Sequence, residues 1–218
     1  MGWWVAELWH NDRAWLVSQV FWVIFSICLH ELGHGWSAIR LGDRTPILTG
    51  HMTWNPVKHM GIPSLIVFAL TGYAWGAMPV DPSRMRGKYA DAIVAAAGPA
   101  MNLGLAVVCT AALALWMKYA PASTPDHFEQ NVRTFFFAGA VLNCVLLVLN
   151  LLPVPPLDGS RIVADFVPSF RNLISDPRAA MVGLIVIFIV FSRVGRVVAD
   201  GSGRLVLDAC QWAGRVLP

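Results

Sequence analysis

Four stretches of this chain carry no Asp, Glu, Lys or Arg: Ala14 to His30, Gly61 to Val80, Ala92 to Met117 and Thr134 to Leu157. Apolar runs approaching ~20 residues fit a bilayer as helices, because a helix satisfies its own backbone polar groups where no water can. A fifth run, Ala179 to Ser192, is shorter and borders Arg193. Hydrophobic residues make up 56% of the sequence and charged residues 13%, which is far from the balance of a soluble domain. These features predict an all-α polytopic membrane protein with about five to six transmembrane helices. Lys and Arg are spread over every loop, so the positive-inside rule gives no orientation. The net charge of +3 offers no basis for nucleic-acid binding.

The first run ends in His30-Glu31-Leu32-Gly33-His34. On a helix turning roughly 100° per residue, His30 and His34 lie about 40° apart, so both imidazoles project from one face and one metal ion can take both. Glu31 is rotated about 100° from His30, where its carboxylate reaches a metal-bound water without being a ligand. That is the position of a general base. The plain alternative is polar packing, which an apolar span makes costly for ionisable groups. Gly33 and Gly35 allow another backbone close to the metal.

Residues 1–13 combine Trp3, Trp4 and Trp9 with Glu7, Asp12 and Arg13, as expected of an interfacial anchor before the first span. Leu41-Gly42-Asp43 ends that span. Between the first and second spans, Thr45 to Trp54 places Gly50 between β-formers and reads as a short hairpin after the metal-binding helix. Its edge would offer main-chain hydrogen bonds to an extended peptide; a plain surface loop is the alternative. His51 and His59 lie nearby as reserve ligands. Gly72 and Gly76 have the spacing of a small-residue helix contact. In the third span, Gly98-Pro99-Ala-Met-Asn102 puts a polar amide in an apolar setting, and Asn102 must find a partner. The four cysteines show no Cys-x-x-Cys spacing and read as small core residues.

The fourth span ends in Asn150-Leu-Leu-Pro153-Val-Pro155-Pro156-Leu157-Asp158-Gly159. Its prolines block regular helix, and irregular backbone at membrane depth is tolerated only inside protein or beside a water-filled cavity. Asp158 is thereby the best candidate for a third ligand, since a catalytic zinc takes three protein ligands and keeps one position for water. With Glu31 it balances a divalent ion. Asp158 is also suited to cap a short helix over Gly159 to Phe166, and the two roles are compatible. Residues 178–198 predict an extra span and 203–216 an amphipathic helix on the membrane surface. The whole chain reads as one domain with a catalytic core over 14–165.

These motifs resemble the site-2 proteases, which are intramembrane zinc metalloproteases. His30-Glu31-x-x-His34 resembles their zinc motif, Gly98-Pro99-x-x-Asn102 their middle motif, and Asn150-x-x-Pro153-x-Pro155-x-x-Asp158-Gly159 their third-ligand motif. Leu41-Gly42-Asp43 through Gly50, Asn55-Pro56 and His59 is similar to the segment after the zinc helix in compact prokaryotic members without a PDZ or CBS domain. Met60-Gly61 stands where many members carry Asp-Pro. The resemblance implies one Zn2+ per chain held by His30, His34 and Asp158, with Glu31 as general base. It implies a transmembrane protein as substrate, a prokaryotic cytoplasmic membrane as location, and oxyanion or substrate contacts from Asn102 or Asn150. Two other classes need different residues. A non-proteolytic membrane zinc-binding protein has no use for Glu31, and a di-iron oxidase needs more clustered histidines than the six present.

Overall fold

The computed structural model describes residues 3–216, apart from the side chains of residues 177, 188 and 190–192. The helices in chain order are α1 (Trp4–Asn11), α2 (Arg13–Arg40), α3 (Thr45–Leu48), α4 (Pro56–Thr71), α5 (Ala90–Tyr119), α6 (Asp126–Asn150), α7 (Asp158–Phe166), α8 (Pro168–Ile174) and α9 (Pro177–Val216), with one 3-10 turn at Pro82–Arg84. Among the described residues, three helices, α2, α5 and α6, are long and apolar enough to cross a membrane.

Local chemistry sets the ends of α2. Asp12 caps its first turn by accepting from the Trp15 N–H at 2.9 Å. At the other end Gly42, at φ +108°, takes the left-handed conformation that stops the helix after Arg40. The three spans pack mutually. Trp22 of α2 is central to one core cluster with Cys109, Leu113, Ala138, Val206 and Cys210. Its indole N–H donates to the Phe135 carbonyl at 2.7 Å, so the ring is buried without an orphaned donor. A second cluster joins Val23 and Ile27 of α2 to Met60 and Phe68 of α4. The N-terminal tryptophans tie α1 to the same region, since the Trp3 and Trp4 indoles both donate to the Ala69 carbonyl, at 2.8 and 3.2 Å.

Two expectations are corrected. The hairpin predicted over Thr45 to Trp54 is absent: residues Thr45–Leu48 form α3, and no strand occurs among the described residues. The reason lies in Asp43, whose carboxylate accepts from the Thr45 N–H and hydroxyl and so nucleates a helical turn, which Gly50 ends at φ +70°. Local hydrogen bonds outweigh the β-propensity of Ile47 and Thr49. The run from Gly61 to Val80, expected as one span, is helical only to Thr71. Gly61 breaks α4 internally at φ +68°, Gly72 ends it at φ +81°, and residues 73–80 continue without regular structure. Gly72 and Gly76 therefore do not share a helix face.

At the C-terminus, α9 runs without interruption through both the expected span and the expected surface helix. Its latter part buries Val206 and Cys210 against α5 and α6.

Candidate metal centre

Three buried side chains from two helices converge on one point. His30 and His34, one turn apart on α2, bring their Nε2 atoms to 3.0 Å from each other. Asp158, the first residue of α7, places Oδ2 at 3.1 Å from His30 Nε2 and 3.3 Å from His34 Nε2. Tetrahedral zinc with bonds of about 2.0–2.2 Å requires ligand atoms about 3.3 Å apart, so this triangle has the right size. Among the described residues this is the one group of His, Cys, Asp and Glu able to hold a metal ion.

The protonation pattern supports the same fit. His34 Nδ1 lies 2.7 Å from the Val94 carbonyl, an atom that only accepts, so Nδ1 carries the proton and Nε2 presents a lone pair. His30 Nδ1 lies 2.6 Å from Asn102 Oδ1, which also accepts. Asp158 Oδ2 is buried with no hydrogen-bond donor. With both imidazoles neutral, three acceptor atoms thus face one another, an arrangement that a cation satisfies. The donor set, two imidazoles and a carboxylate, is one that zinc takes in catalytic sites.

The surrounding backbone is shaped to that triangle. A Cβ on Gly98 of α5 would stand 2.5 Å from Nε2 of both histidines, so only glycine leaves room beside the ion position. At Gly33 a Cβ would meet the Ala97 carbonyl at 2.9 Å, which is the close approach of α5 that the glycine was expected to allow. Glu31 is 6% exposed, and its carboxylate lies against Gly76, where a Cβ would meet Oε1 at 2.5 Å. The segment after α4 therefore passes directly over the acid. Position 76 was read from its spacing as a helix contact, and nothing in the sequence pairs it with Glu31.

Asp158 is delivered by the bend between α6 and α7. Leu157, not Asp158, occupies the N-cap position, and the Asp158 carboxylate makes no capping bond. Two contacts clamp α7 to the start of α5: Arg161 pairs with Asp91 at 2.5 Å, and Asp165 accepts from the Ala92 N–H at 2.9 Å. Arg161 also reaches to 3.9 Å from Asp158 Oδ1. Sequence reading ranked Asp91 only as a poorer third-ligand candidate than Asp158 and gave Arg161 no part, because a pairing between the start of α5 and α7 leaves no trace in local pattern.

The other candidates lie apart from the triangle. His51 Nδ1 is 2.9 Å from the Thr49 hydroxyl, and His59, 2% exposed, donates through Nε2 to the Thr53 carbonyl at 2.6 Å. Asn102 is fully buried behind His30. Asn150, the last residue of α6, donates to the Leu146 carbonyl at 3.0 Å. Asn143 of α6, which accepts from Asn102 at 2.9 Å, was overlooked, although a lone amide in an apolar run is the signal that singled out Asn102.

Residues 18–192 match the family described as Peptidase family M50. "Putative zinc metalloprotease YwhC" of Bacillus subtilis is 37% identical over 152 residues, covering 68% of this chain and 68% of that protein. "Putative zinc metalloprotease Rip2" of Mycolicibacterium smegmatis is 36% identical over 146 residues, covering 62% and 52%. Its namesake in Mycobacterium tuberculosis is 32% identical over 177 residues, covering 77% and 64%. The match thus spans between half and two thirds of either Rip2 protein. No solved structure matches this chain.

Proposed function

Since this chain belongs to peptidase family M50, we propose that it hydrolyses a peptide bond in or beside a transmembrane segment of a membrane-protein substrate, using His30, His34 and Asp158 as zinc ligands and Glu31 as general base. It is a zinc metalloprotease and an integral membrane protein. The observation that carries the residue assignment is the convergence of both Nε2 atoms and Asp158 Oδ2 within 3.3 Å of one another, with each Nδ1 turned to an oxygen that accepts.

Zinc bound in such a triangle supplies Lewis acidity, polarising a carbonyl and lowering the pKa of water towards about 7. Glu31, one residue from His30 and outside the triangle, is placed to take a proton from the attacking water and return it to the leaving amine. Gly76 keeps the carboxylate covered on one side without pushing it from its place. The groups that would hold the ion come from two elements, His30 and His34 from α2 and Asp158 from the start of α7. A helical substrate has its carbonyls engaged internally and must open locally before one can reach the site. Asn150, with its amide nitrogen bonded to Leu146, keeps Oδ1 free to accept from an extended substrate N–H.

The test uses detergent-purified protein with a transmembrane reporter substrate. Asp158→Ala is expected to lose zinc and cleavage together, whereas Glu31→Gln keeps zinc and loses cleavage. Zinc bound with no cleavage by the wild-type protein of any membrane-protein substrate would favour the non-proteolytic zinc-binding alternative. Zinc retained in Asp158→Ala would remove Asp158 from the ligand set.

A further inference from the structure

We infer that Asn143 of α6 is a positioning residue for the metal centre: it fixes which way round the Asn102 amide sits, and through it which nitrogen of His30 faces the ion. The inference rests on the ligand set proposed above and extends it to a residue that touches neither metal nor substrate.

The two ligating histidines differ in what stands behind them. His34 backs onto the Val94 carbonyl, which accepts and cannot donate, so its tautomer is fixed by backbone alone. His30 backs onto a primary amide, and an amide has two ends. With Asn102 Oδ1 towards the ring, His30 Nδ1 carries the proton and Nε2 is a lone pair for the metal. Turned over, Asn102 would present Nδ2, His30 Nδ1 would become the acceptor, and the proton would move to Nε2 and block ligation.

Asn143 removes that ambiguity. Its Nδ2 lies 2.8 Å from the Gly139 carbonyl, which again only accepts, so this end of Asn143 is the donor. The second Nδ2 hydrogen goes to the Ser26 hydroxyl at 2.9 Å. Asn143 Oδ1 must then face Asn102, whose Nδ2 donates to it at 2.9 Å, and Asn102 Oδ1 is left for His30 at 2.6 Å. The direction of the whole chain is set by one carbonyl of α6 and ends at a nitrogen of α2. Ser26, Asn102 and Asn143 are each fully buried, so no water competes for these positions. Such a network, satisfied at every member, also avoids the cost of polar groups inside an apolar bundle.

Packing and orientation can be separated because a carboxylate has no wrong way round. Zinc affinity would be measured by chelator competition on the full chain in detergent, with the absorption spectrum of the Co2+-loaded protein as a report on ligation. Asn143→Leu is expected to weaken zinc about 10- to 100-fold, the usual cost of losing an outer partner of a ligand. Asn102→Asp in that background gives His30 Nδ1 an acceptor in either orientation, and is expected to restore zinc affinity to within about threefold of wild type together with the wild-type Co2+ spectrum. Asn143→Ala serves the same comparison if the leucine variant does not give monodisperse protein. Unchanged affinity in the Asn143 variants would overturn the inference, and so would a loss that Asn102→Asp fails to repair, since a packing defect is indifferent to the symmetry of residue 102. His30→Ala is the control for the underlying ligand set: zinc retained there sinks that set, whereas zinc lost there but kept in the Asn143 variants sinks only the relay.

Discussion

The back and the front of the metal centre are built from different material. Behind the histidines stand the interiors of α2, α5 and α6, where regular helix holds Val94, Gly98, Asn102 and Asn143 in fixed register and gives the buried amides and both Nδ1 atoms their partners. In front stand segments that have left regular structure: residues 73–80 over Glu31, and the proline-rich bend that delivers Asp158. A helix places side chains accurately along its own face but cannot turn one towards a neighbouring helix's metal from the opposite side. Irregular backbone does that, as at residues 73–80 and in the proline-rich bend before Asp158.

The largest effects should ignore the distinction. His34→Ala at the back and Asp158→Ala at the front each leave two ligands, and zinc content is expected to fall from roughly one ion per chain to near zero in both, with cleavage lost, as read by elemental analysis and a reporter assay. Retention of zinc by either would break the triangle.

The next effect separates the base from the ligands. Glu31→Gln preserves size and is expected to keep zinc while lowering cleavage about 10²-fold or more. Wild-type turnover in this variant would exclude Glu31 as the base.

Two glycines sharpen the comparison further. Gly98→Ala drives a methyl group against both Nε2 atoms and is expected to lower zinc affinity by about tenfold or more, since the spanning helices behind it cannot yield. Gly76→Ala meets the tip of Glu31 and is expected to leave zinc affinity near wild type while cleavage drops several-fold. The reverse pattern, with Gly76→Ala losing zinc, would mean that front and back are not separable.

The smallest expected effect concerns the anchor of the front segment. Burial alone would push the Asp43 carboxyl up, but hydrogen bonds from the Asp81 N–H and from the Thr45 hydroxyl and N–H outweigh it and hold the group below the ordinary carboxylate range. A depressed folded-state pKa contributes stability above the unfolded value of about 3.9, and that contribution is lost as pH falls through the folded value. Thermal stability of the wild type should therefore fall below about pH 4, and Asp43→Asn should cost about 1–2 kcal/mol at neutral pH with a flatter acid limb. An unchanged acid limb in the variant would remove Asp43 from that role.

Much of the fold and site is legible from residues whose constraint is local. The spacing of His30 and His34 fixes a shared face on any helix, and the prolines before Asp158 forbid helix whatever surrounds them. The failures have local causes as well. Thr45 to Trp54 was expected to be a hairpin because β-formers flank Gly50, yet one buried aspartate two residues upstream starts a helical turn instead. The Gly61 to Val80 run has the composition of a span, but its glycines at positive φ divide it, and a single sequence does not reveal which glycines will take that conformation.

By itself, the sequence determined that this protein is helical and membrane-embedded, and that two imidazoles and an acid share one helix, because hydrophobicity and helical period act within a segment. Only the tertiary structure decided that Gly76 would cover Glu31, that Arg161 would clamp α7 to Asp91, and that Asn143 would stand behind Asn102. Those contacts join residues far apart along the chain, and their strength comes from burial and hydrogen-bond direction that exist only once the helices are packed.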